Sequence, residues 1–147
     1  MSRLTETKRA YDKVRRLLDD ELRARTSDAK DIARFQETLD VAFYLLGWAQ
    51  FEALVRRESK EIVEEKARTK TIDQYAWKYL ADEIKEYPVR KRLELIFHTD
   101  PEARAQLDKD YTVRNEAAHN YKQLPQNARD ISAWLQKLEE LVNKFED

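Results

Sequence analysis

An all-α, antiparallel bundle of about five to six helices is the fold class this sequence predicts, and three observations predict it. One glycine and three prolines among 147 residues leave almost no material for tight turns or hairpins. Apolar residues recur at three- and four-residue spacing, the period of a helix buried on one side. Charged side chains make up 39% of the chain and hydrophobic ones 41%, a mixture that suits long amphipathic helices and argues against disorder. At this length a single core is expected, and so a single domain over residues 1–147.

The first helix is expected from about Leu4 to Arg25, with Leu4, Tyr11, Val14, Leu18 and Leu22 on or near one stripe. Thr26-Ser27-Asp28 interrupts it, and Ser27 or Asp28 can cap the next helix by accepting its free backbone N–H groups. In that second helix Ile32, Phe35, Leu39, Ala42, Phe43, Leu46, Ala49, Ala53 and Leu54 follow the spacing of a broad buried face, and the pattern can continue to Lys66. Gly47, the only glycine, lies mid-helix, where it costs about 1 kcal/mol relative to alanine. Close approach of another backbone is the expected reason for it, and a kink is the second.

Thr71-Ile72-Asp73-Gln74 has capping-box spacing and opens a third helix to about Tyr87. Pro88 ends that helix, and a shorter one covers Val89 to Phe97. Asp100-Pro101-Glu102 is a start signal, with Asp as cap, Pro at the first helical position and Glu at the positive dipole end. The helix it opens should reach Tyr121 or Lys122. After Leu124-Pro125 a final helix is expected from about Asn127 to Phe145, burying Ile131, Trp134, Leu135, Leu138, Leu141, Val142 and Phe145.

Several chemistries are excluded or disfavoured. With no cysteine there are no disulfides, no thiolate catalysis and no cysteine zinc site. No apolar run approaches a membrane span, and Met1-Ser2-Arg3-Leu4-Thr5-Glu6 is not apolar in the manner of a signal peptide, so a cytoplasmic protein without a membrane role is expected. The net charge of −1 does not suit a nonspecific nucleic-acid coat, although an enzyme needs to grip only a few phosphates. The basic clusters Arg56-Arg57, Lys66, Arg68, Lys70 and Arg90-Lys91-Arg92 read as solvated faces paired with acids. One glycine is too few for a phosphate-binding loop, and no nucleophile elbow is present.

The segment that carries chemistry is Arg114-Asn115-Glu116-Ala117-Ala118-His119-Asn120-Tyr121. It joins one of only two histidines to an arginine. Histidine gives and takes protons near neutral pH, and arginine offers a permanent forked charge that suits phosphate. Five residues apart on a helix, the two side chains differ in direction by about 140°. Arg114, Ala118 and Tyr121 share one row, and Asn115 and His119 a neighbouring one. One copy supplies a single titrating histidine, whereas RNA transesterification needs both a base and an acid. Two copies facing each other would supply both, and Ala117 and Ala118 are small enough to let such helices approach.

Arg, four residues, His, one residue, Tyr, with Asn after the Arg, resembles the signature of the HEPN superfamily, all-helical domains that include many metal-independent RNA-cleaving toxins. Only this segment is specific; along the rest of the chain the likeness is of general plan. The resemblance implies a HEPN-like bundle, a homodimer with its active site at the interface, and no cofactor. It implies His119 as the proton-transfer group, Arg114 as the stabiliser of phosphorane charge, and Asn115 as a group orienting the histidine or the phosphate. Glu52, in Trp48-Ala49-Gln50-Phe51-Glu52, would be a supporting acid, as would Glu116 within the motif. The implied products are 2′,3′-cyclic phosphate and 5′-hydroxyl ends, and the implied setting is a toxin–antitoxin or antiviral defence system. Tyr121 would be a target for AMP transfer by a nucleotidyltransferase-type antitoxin; the plainer alternative is a tyrosine packed against the final helix.

Rival readings differ in class. Glu116-x-x-His119 has the spacing of half a di-iron site, but His98 follows Glu94 by four residues rather than three, so the second half is missing and no metal is expected. His98 reads instead as a helix C-terminal residue satisfying the last carbonyls. The tryptophans Trp48, Trp77 and Trp134 read as core before binding platform. The serious competitor to the nuclease is a noncatalytic HEPN-like dimer that binds protein, RNA or nucleotide.

Overall fold

The computed structural model describes residues 3–24, 28–120, 124 and 130–144. Among the described residues the chain is all-α: α1 (Arg3–Ala24), α2 (Ala29–Arg68), α3 (Gln74–Glu83), a 3-10 turn (Ile84–Glu86), α4 (Val89–Ile96), α5 (Pro101–Asn120) and α6 (Ile131–Asn143). Three aspartates start helices as side-chain caps. Asp28 accepts from the Lys30 N–H at 2.9 Å, Asp100 from Ala103 at 3.1 Å and Asp130 from Ala133 at 3.0 Å. The last of these moves the start of the final helix from the expected Asn127 to Ile131. Ser27, Tyr121 and Phe145 lie outside the described residues.

The capping box at Thr71 does not form. Asp73 is the cap residue of α3 but makes no side-chain capping bond. The Gln74 amide instead donates to the Ala67 carbonyl at 3.1 Å, closing the end of α2. The expected helix to Tyr87 shortens at Glu83 into the 3-10 turn, and Pro88, in extended geometry, starts α4.

Contacts group the chain into two compact units, residues 1–51 with 111–147, and residues 52–110. In the first, α1 runs antiparallel to the start of α2: Thr7 bonds Gln50 at 2.7 Å, Tyr11 bonds Asp40 at 2.6 Å, and Asp19 accepts from Gln36 at 2.8 Å. It also packs on α6, with Thr5 donating to Glu139. The core is aromatic: Tyr44 stacks on Trp134 with ring centroids 4.2 Å apart, and Trp48 lies against both Trp134 and Phe51. α6 buries Ile131, Trp134, Leu135, Leu138, Leu141 and Val142, as its pattern predicts.

Gly47 sits where α6 crosses. A Cβ there would fall 2.4 Å from Leu135 Cδ2 and 2.9 Å from Trp134 Cζ3, so close packing of α6 side chains, rather than of another backbone as expected, is the reason for the glycine. Two stripes differ from expectation. On α1 full burial stops at Tyr11: of the expected stripe Leu18 is half-buried and Val14 and Leu22 are exposed, and polar contacts to Asp40 and Gln36 hold the second half of the helix. On α2 the buried side is Val41, Tyr44, Trp48, Phe51 and Val55, while Phe35, Ala42, Leu46, Ala49 and Ala53 face solvent.

The second unit buries Val55, Val63, Ile84, Val89, Leu93, Phe97 and Leu107 around Arg92. Arg92 is 6% exposed and bonds carbonyls and a hydroxyl rather than an acid: Ile84 O at 2.7 Å, Tyr87 O at 3.1 Å, Arg56 O at 3.2 Å and Ser59 Oγ at 3.1 Å. This corrects the reading of Arg90-Lys91-Arg92 as one solvated cluster. Only Arg90 behaves that way, pairing with Asp108 at 2.7 Å, while Lys91 lies over the Tyr87 ring. His98 closes α4 as expected, its Nδ1 being 2.8 Å from the Leu95 carbonyl.

Candidate active site on the fifth helix

The motif occupies the last two turns of α5. Asp100 and Pro101 start this helix, and its continuity from there places Arg114, Asn115, Glu116 and His119 on one rigid element. Ala117 is buried, Ala118, Arg114 and Asn115 are half-buried, and Glu116 and His119 are exposed. The small residues thus turn toward the core and the histidine toward solvent.

Arg114 is held on two sides. Its Nη1 donates to Asn115 Oδ1 at 3.0 Å, and its guanidinium carbon lies 5.9 Å from the centre of the Tyr111 ring. Tyr111 is fixed in turn by an edge contact with Trp48 at 5.7 Å. Asn115 therefore orients the arginine, where the sequence suggested the histidine or the phosphate. Tyr111 was not anticipated as part of the site, although its place one turn before Arg114 is the spacing at which helical neighbours touch. Among the described residues Arg114 makes no ion pair. Its charge is therefore not neutralised by any described carboxylate.

Glu52 is half-buried on α2, within the 52–110 unit. Glu116, on the solvent side, precedes His119 by three residues, about one turn, and no described hydrogen bond or ion pair joins the two. Tyr121 falls outside the described residues. Among the described residues no three His, Asp or Glu side chains gather where they could hold a metal ion, and no helix is long and apolar enough to cross a membrane.

A second polar cluster lies on α1. The Tyr11 hydroxyl donates to Asp40, whose Oδ1 is also 3.4 Å from Arg15 Nη1. Burial, and then the bond and charge of Asp40, push the Tyr11 hydroxyl well above its ordinary titration range, so it remains a donor. The groove beside it, about 580 Å³, is lined by Arg15, Arg16, Arg23, Asp12, Asp19 and Asp130, an interleaving of opposite charges that favours no one ion. No family model, curated protein or solved structure matches this chain.

Proposed function

We propose that the chain is a HEPN-type, metal-independent endoribonuclease, acting in the cytoplasm as a toxin or antiviral effector. The observation that carries this reading is Arg114, half-buried, oriented by Asn115 and Tyr111 and without a carboxylate among the described residues, on the same helix end as the exposed His119. RNA transesterification requires a base, an acid and a charge that stabilises the phosphorane, and two copies of this helix end carry all three.

In the proposed reaction His119 takes the proton of the ribose 2′-hydroxyl, and the 2′-oxygen attacks the adjacent phosphorus in line. The bond from phosphorus to the 5′-oxygen breaks as the partner's His119 protonates that oxygen. Arg114 neutralises the nonbridging oxygens while the extra charge is present. The products carry a 2′,3′-cyclic phosphate and a 5′-hydroxyl. DNA is not cut, because it has no 2′-hydroxyl.

Labelled single-stranded RNA incubated in EDTA with wild type, His119→Ala and Arg114→Ala tests this. Removal of a general acid–base group should lower the cleavage rate about 100-fold or more, and removal of the charge-stabilising arginine about 100-fold. The ends should be cyclic phosphates. A wild type that does not cut, or one whose cutting survives His119→Ala, overturns the nuclease in favour of a noncatalytic helical binding module.

A further inference from the structure

α2 is apolar on two opposite sides, and among the described residues only one of them is buried. The covered side is Val41, Tyr44, Trp48, Phe51 and Val55. The other, centred roughly 160° away at 100° per residue, is Phe35, Leu39, Ala42, Leu46, Ala49 and Ala53. Its gaps alternate four and three, the spacing of the seam between two packed helices. Phe35 is 57% exposed and Leu46 44%, the three alanines are exposed, and Leu39 is half-buried. A helix apolar all round is ordinarily buried all round.

We propose that a second copy of this chain packs antiparallel along this stripe. The argument is its self-complementarity. In an antiparallel pair centred between Ala42 and Leu46, Phe35 lies opposite Ala53, Leu39 opposite Ala49 and Ala42 opposite Leu46. Every layer joins one large side chain to one alanine, which lets the backbones approach and the large groups interdigitate. Beyond the apolar layers Asp28 of one copy lies opposite Lys60 of the other, a pair of opposite charges at each end. No other register does this. Sliding one copy by a heptad sets Leu39 against Arg56 in one direction and Phe35 against Leu46 in the other. A parallel pair would stack Phe35 on Phe35, leave alanine on alanine and bring Asp28 onto Asp28.

The surface goes beyond the nuclease reading, since it lies on the side of α2 opposite Trp48, the residue that Tyr111 of the motif helix contacts, and its test reads assembly and not cleavage. The chain contains no cysteine, so introduced thiols report without background. Full chains carrying Ala42→Cys alone and Leu46→Cys alone are mixed and treated with a short bismaleimide, so that no chain can bridge itself, beside Glu140→Cys on the exposed side of α6 as a control. Sedimentation of wild type and Leu46→Glu is run in parallel, with circular dichroism confirming that each variant is folded. The expected result is a covalent dimer from the paired cysteines and none from the control. A charge at Leu46 in both copies should raise the dimer dissociation constant about 100-fold or more. A wild type that sediments as a monomer at tens of micromolar overturns the proposal. So does a dimer that the paired cysteines fail to capture, or one that Leu46→Glu leaves unchanged. A nuclease that fails the cleavage assay while crosslinking as expected would remove the activity and keep the interface.

Discussion

Arg90, Lys91 and Arg92 follow one another in the chain and meet three different fates, which only side-chain surroundings separate. Arg90 pairs with Asp108 on the surface, Lys91 covers a tyrosine ring, and Arg92 is enclosed. Burial, followed by the neighbouring charge of Arg56, lowers the Arg92 titration point, yet guanidinium starts so high that it stays charged. Its fork serves the Ile84, Tyr87 and Arg56 carbonyls at once, and Tyr87 precedes a proline at the junction of the 3-10 turn and α4. Replacing Arg92 with Met should therefore cost about 3 kcal/mol in urea unfolding, since buried carbonyls lose charged donors. Arg92→Lys should recover only a minor part, because an ammonium cannot span the same acceptors. Unchanged midpoints in both variants would show that this clamp does not hold the unit together. Arg114 teaches the same lesson at the site. Its presence five residues before His119 is visible in the sequence, whereas its lean onto Tyr111 and Asn115 is a choice made by packing.

Helix starts are the most legible elements, because a cap acts within three residues of itself. Asp28 and Asp100, both legible as caps in the sequence, bond the backbone just ahead, and so does Asp130, which the expected start of the last helix at Asn127 passes over. Thr71 fails for an equally physical reason: Gln74, needed to complete the box, is drawn to the Ala67 carbonyl left open at the end of α2. Periodicity located α2 but put its buried face on the side of Phe35, Ala42, Leu46, Ala49 and Ala53, which faces solvent, because both apolar sides satisfy the same spacing. The aromatic side found Trp134 and became the core. Gly47 marks that crossing. Alanine is the better helix former by about 1 kcal/mol, so propensity alone predicts that Gly47→Ala stabilises. The contacts reverse the sign, because the new methyl would overlap Leu135 and Trp134. A net loss of about 1–3 kcal/mol is expected from overpacking, measurable by thermal or urea unfolding. A more stable variant would mean that α6 can shift away at no cost.

At the scale of the molecule, one histidine per motif and an exposed stripe on α2 both ask for a second copy. If two chains fold as one assembly, stability depends on protein concentration. Each tenfold increase then adds up to about 1.4 kcal/mol to the assembled state. The melting temperature of wild type should rise across a hundredfold range of concentration, and that of Leu46→Glu should stay constant. A wild-type melting temperature independent of concentration would count against both the assembled nuclease and the α2 interface.

The sequence by itself determined the all-α class, the placing of most helices and their caps, the exclusion of thiol chemistry, and the motif of Arg114 and His119 on one helix. These rest on interactions between residues a few positions apart, which spacing alone records. Tertiary structure decided which side of α2 is core, that Arg92 is buried while Arg90 is not, that full burial on α1 stops at Tyr11, and that Asn115 serves the arginine. Each of those depends on groups tens of residues away competing for the same surface or the same hydrogen bond, and the outcome of that competition is set by volume and geometry that no local pattern carries.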